Sequence, residues 1–179
     1  NNFGLRSGFV SVYLAERDAF DQTAQLNHAK QVPAAKLWFR QALLMDAKTT
    51  APMKLLDLFE QRGVEDSLAW DCVWMGLSNH APIVRWLVST LKLGVAYSDD
   101  ELFDLLGDSI KDVTKRGGIQ ALKNMLVSTP FGAEEAGVCE LLKRGKHTVG
   151  LKRRPHMVDP LVVLYGLYVM AEKSGRNAF

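Results

Sequence analysis

A mainly α, compact multi-helix domain carrying one small β-hairpin is the fold this sequence predicts, and three observations predict it. Apolar residues recur at three- and four-residue spacing along most of the chain. Prolines and small polar residues punctuate those runs where helices start. The tract Lys143-Arg144-Gly145-Lys146-His147 sits between two short apolar runs, as a hairpin tip does. At 179 residues, 47% of them hydrophobic, the chain makes one domain or two small ones closely packed. We divide it into an N-terminal helical part, 1–97, and a winged-helix-like C-terminal part, 98–179, packed as one domain.

Ser7 to about Lys30 reads as a first helix, with Phe9, Val12, Tyr13, Phe20 and Leu26 near helical spacing. Pro33 suits the first turn of a second, Ala34 to Asp46. Thr50 as N-cap and Pro52 in the first turn begin a third, which Gly63 closes. Asp66 or Ser67 opens a fourth, where Trp70 and Trp74 share a face. A core face is the default for these two rings, and an aromatic binding platform is the alternative. Ser78 or Asn79 caps a fifth helix with Pro82 in its first turn, and Gly94 ends it.

Ser98-Asp99-Asp100-Glu101 is a capping box ahead of a short helix, Asp99 to Leu106. A loop from Gly107 to Gly117-Gly118 leads to a helix from Ile119 to Val127 whose Lys123 and Asn124 point away from its apolar face. Thr129 to Gly132 is a turn, and the hairpin follows near 143–154. Asp159-Pro160 starts the last helix, which is apolar nearly all round from Leu161 to Met170. That pattern predicts burial, within the domain or under a partner. Gly175 ends it, and the tail from Arg176 frays.

Charge supplies the functional signal. Between Thr114 and Arg154 nine Lys/Arg face three Glu, a net of +6. The whole chain is +2, so the rest sums to −4. Short helix, connector, helix and basic hairpin is the order of a winged helix-turn-helix, in which a helix enters the major groove and the hairpin meets the backbone. Lysines and arginines there neutralise phosphates and release condensed counterions. Lys115, Arg116, Lys123, Asn124, Lys143, Arg144, Lys146, Lys152, Arg153 and Arg154 are the candidate nucleic-acid-binding residues. The expected partner is DNA, with other protein subunits or a larger parent chain as further partners. A protein-interaction or scaffold module is the alternative function.

Enzyme chemistry finds little footing. The histidines, His28, His80, His147 and His156, are scattered, with no HExxH, CxxC or GxxxxGK[ST] pattern. No catalytic residue, metal or cofactor is expected. A pocket closing His147 or His156 on Cys139 or a carboxylate would reopen the question. Cys72 and Cys139 lack motif spacing and read as buried reduced thiols, which fits a cytoplasmic setting. No apolar run is long enough to cross a membrane. The first residue is not Met, so a piece of a longer chain is one reading.

Three short strings carry a resemblance: Tyr97-Ser98-Asp99-Asp100-Glu101-Leu102; Ala121-Leu122-Lys123 with Ser128-Thr129-Pro130-Phe131-Gly132; and Asp159-Pro160-Leu161-Val162-Val163-Leu164-Tyr165 with Ala171-Glu172. Over about the last 80 residues they resemble the helical module that follows the nucleotide-binding domain in some phosphoadenosine-phosphosulfate-reductase-like proteins of DNA-modification systems. They also resemble the helical DUF4007 proteins found near them. The resemblance implies an accessory role in DNA modification or defence. It implies no reductase activity, since no SGGxDS loop is present.

Overall fold

A computed structural model describes residues 3–174, with side chains to 171. The described residues form eight α-helices and a three-stranded antiparallel sheet. In chain order these are α1 (Ser7–Ala15), α2 (Gln31–Gln41), α3 (Lys54–Arg62), α4 (Ser67–His80), α5 (Pro82–Thr90), β1 (Ala96–Ser98), α6 (Asp99–Leu105), α7 (Asp112–Val127), β2 (Cys139–Arg144), β3 (His147–Arg153) and α8 (Pro160–Ser174). Gly175 and the tail lie outside the described residues.

The first predicted helix, expected to reach about Lys30, ends at Ala15 after nine residues. Past Ala15 the polar side chains bind backbone amides locally. Thr23 Oγ1 accepts from Gln25 N, Asn27 Oδ1 from Lys30 N, and Gln31 Oε1 from Asn27 N. Such bonds favour turns over helix. Apolar spacing alone missed this, because Phe20 is buried from a 3₁₀ turn, edge-on to Tyr13 and beside Phe39. The second helix starts earlier and stops at Gln41, since Leu43 adopts φ +60. The third begins at Lys54 without a Thr50 cap; Thr50 also sits at φ +60.

Asp66 caps α4, its Oδ1 accepting from Ala69 N at 2.9 Å. α4 then runs through Ser78 and Asn79 to His80, so neither residue caps α5. Ala81 is the shared boundary and Pro82 takes the first position of α5. Trp70 is fully buried edge-on to Phe59 and Phe131, and Trp74 tilts against Phe131. Trp70 therefore belongs to the core, and Trp74 is half-buried against it. That core is one cluster running from Leu5 to Val162, with α4 at its centre.

The capping box is formed as read. Ser98 Oγ accepts from Glu101 N at 3.3 Å and Glu101 Oε2 accepts from Ser98 N at 2.7 Å. α7 differs: it begins at Asp112 and carries Gly117-Gly118 inside it. Two glycines cost a helix interior about 1 kcal/mol each against alanine. Gly118 lies against Ile83 of α5, so packing offsets that preference.

The sheet order is β1-β3-β2. β1 was not expected; three residues, Ala96 to Ser98, are too short to show alternation. Gly150 allows this pairing, because a Cβ there would lie 2.2 Å from Tyr97 O. α8 meets the expected burial within the domain only in part. Val162 is buried and Gly166 touches Met75 of α4, but most large side chains of α8 are exposed.

Candidate nucleic-acid interface

From α5 to β3 the helices and strands run helix, strand, helix, helix, strand, strand. The β2–β3 hairpin closes through Gly145-Lys146, with Arg144 opposite His147 and Gly145 at φ +62. Positive φ at the first of two loop residues is the primed turn geometry that matches strand twist. The register shifts at Leu142/Lys143, leaving Val149 as the extra residue of β3. A bulge there bends the ribbon and increases its twist. Lys143, Arg144, Lys146 and His147 are all exposed.

The nine cations of the basic stretch do not form one strip. Lys115 is 4% exposed, with Nζ 4.4 Å from the centre of the Phe103 ring and 3.8 Å from Asp108 Oδ1. Lys123 is 7% exposed and donates to Asp99 Oδ2 and Thr148 O, both at 2.6 Å. The outward orientation expected of both is corrected: Lys123 is hydrogen-bonded to two acceptors of the same chain, and Lys115 lies over the Phe103 ring with the exposed Asp108 carboxylate nearby.

The last three cations are engaged with the body of the protein. Lys152 pairs with Glu140 across the β2–β3 ladder at 3.6 Å. Arg153 Nη1 donates to Val88 O at 2.7 Å and Leu91 O at 2.8 Å, satisfying carbonyls at the C-terminus of α5. Arg154 pairs with Glu140 at 3.3 Å and donates to Ala133 O at 3.2 Å and to Glu134 O.

Arg116 remains exposed on α7, its guanidinium 5.2 Å from the Phe103 ring centre. It stands four residues before Gln120, which stands four before Asn124, so the three form one polar stripe along the helix. Gln120 Nε2 donates to Asn124 Oδ1 at 2.9 Å. Sequence reasoning missed Gln120. Its signal is the i, i+4, i+8 spacing of Arg116, Gln120 and Asn124, which a helix beginning at Ile119 leaves incomplete. A cleft of about 280 Å³ between α6 and α7 is lined by Asp99, Asp100, Phe103, Arg116, Ile119, Gln120 and Lys123. Two carboxylates, Asp99 and Asp100, face two cations, Arg116 and Lys123, in that lining, so the cleft carries no formal net charge.

His156 Nε2 lies 2.7 Å from Asp71 Oδ1, the His–carboxylate pairing that would bear on catalysis. It borders an open groove with Trp74, Leu93 and Val138. Cys139 offers no nucleophile: it is fully buried and desolvation pushes its thiol up to about 12. His147 sits exposed on the hairpin. Among the described residues no three His, Cys, Asp or Glu side chains gather as a metal site, and no helix is long and apolar enough to cross a membrane. No family model, curated protein or solved structure matches the chain.

Proposed function

We propose that this protein is a non-enzymatic DNA-binding module built on a winged helix-turn-helix, acting as an accessory component of a DNA-modification or defence system. The observation that carries the DNA reading is the hairpin tip, where Lys143, Arg144 and Lys146 are all exposed within four residues that hold no acid. The order of elements from α5 to β3 and the β1-β3-β2 sheet support it, since they match the plan in which α7 is the groove-entering helix and β2–β3 the wing. Arg116, Gln120 and Asn124 then supply the side-chain types that pair with guanine and adenine edges. The accessory role rests on the resemblance of the last part of the chain.

Fluorescence anisotropy of a labelled duplex at two salt concentrations tests this reading. Binding that weakens steeply between 50 mM and 200 mM salt is expected of phosphate contacts. Absence of binding at low salt, or an affinity indifferent to salt, contradicts it. A second reading, a protein-interaction module, is favoured by the exposed apolar surface of α8.

A further inference from the structure

Among the described residues, exposed large apolar side chains concentrate on α8 and the residues leading into it. Of the fifteen large hydrophobic side chains exposed among the described residues, eight lie between Met157 and Met170. The helix has two halves. Val162, Tyr165, Gly166 and Val169 turn toward the body, and Gly166 packs on Met75 of α4. The outward half is a continuous arc in which Leu161 is 62% exposed, Leu164 61% and Tyr168 62%, flanked by Val163, Leu167 and Met170.

We propose that this outward half of α8 is the interface for a second copy of the same chain, related by a two-fold axis across the helix. Area is the first argument. The six outward side chains expose on the order of 700 Å², beyond the patch a typical monomer carries and close to the roughly 800 Å² per partner of a stable interface. Met157, 96% exposed, and Val158 extend it at the N-terminal end. Charge is the second argument. From Pro160 to Ala171 there is no Asp, Glu, Lys or Arg. A charged peptide would find no counter-charge here. A membrane surface is recognised by helices bearing Lys or Arg beside the apolar face, and α8 has none in that span. A surface without charge is complementary to itself, which is what an isologous contact requires. The inference rests on α8 alone and is independent of the DNA reading.

Sedimentation velocity of the full chain, without nucleic acid, from 1 to 100 μM is the test. The expected result is a species of twice the 19.9 kDa chain mass at the upper concentrations. Leu164→Glu shifts dimerisation to at least about 100-fold higher concentration, while Val113→Glu, at an exposed apolar site on α7, leaves it unchanged. Leu164→Cys, which keeps the surface apolar, is captured as a covalent dimer on mild oxidation, the native thiols being buried. A monomer throughout the range overturns the proposal, as does a dimer that Leu164→Glu leaves intact and Leu164→Cys does not cross-link. A monomer that instead co-floats with phosphatidylcholine or phosphatidylglycerol vesicles also overturns it, and assigns the face to a bilayer.

Discussion

Lys123 reaches from the middle of α7 to two acceptors on different elements, Asp99 at the start of α6 and Thr148 O on β3. It holds the helix pair and the hairpin in one orientation. Lys123→Ala leaves that carbonyl unpaired and opens a gap; equilibrium urea unfolding is expected to show a loss of about 2 kcal/mol. A loss under about 0.5 kcal/mol would mean the contacts are incidental. The thiols give a pH prediction. Desolvation raises Cys139 to about 12 and Cys72 to about 11, with the Asp71 carboxylate adding to the second. In the unfolded chain both ionise near 8.5. Above that pH the unfolded state sheds protons the folded state keeps, so stability falls as pH rises toward the folded values and is unaffected below about 8. The urea midpoint should drop between pH 8 and 10, and by less in the Cys72→Ala/Cys139→Ala protein. Buried thiols were legible from the absence of motif spacing. The inward turn of Lys115 and Lys123 was not, because a lysine on a helix reads the same whether its ammonium meets water, an aromatic face or a carboxylate.

At the scale of elements, part of the local chemistry was legible, while the missing Thr50 cap and the turns between Thr23 and Gln31 were not. The Ser98–Glu101 box, the Asp66 cap, the Pro82 start and the hairpin around Gly145 need only neighbours in sequence, and each is present. Ser98→Ala is expected to cost about 1 kcal/mol, a fall in melting temperature of about 2–4 °C for a chain of this size. What depends on distant partners was not legible. α7 extends through Gly117-Gly118 because α5 packs against it, and β1 exists because Gly150 lets Tyr97 approach. α8 has the composition of a buried helix, yet the domain covers only the stripe through Val162 and Gly166. The hairpin tip carries the last element-scale prediction. Lys143, Arg144 and Lys146 touch little of the body, so replacing all three with alanine should change stability by no more than about 0.5 kcal/mol per site. A large loss of stability would mean the tip is structural.

Across the whole molecule, the basic surplus of the later part sorts into two groups. Lys115, Lys123, Lys152, Arg153 and Arg154 are paired with carboxylates or backbone carbonyls of the same chain. Arg116, Lys143, Arg144 and Lys146 face outward. A count of charges along the sequence cannot separate a cation that caps a helix from one that meets solvent, so the candidate site was legible as a region and not as a set of residues. The functional account therefore rests on four cations, three of them on one turn. Salt dependence counts phosphate contacts directly. For the native chain the slope of log affinity against log salt on duplex DNA should be about −3 to −4 per bound chain, at roughly 0.9 per phosphate contact. The Lys143→Ala/Arg144→Ala/Lys146→Ala protein should bind more weakly with a slope near about −1. An unchanged slope in the triple variant, or no binding by the native chain at 50 mM salt, would contradict the account.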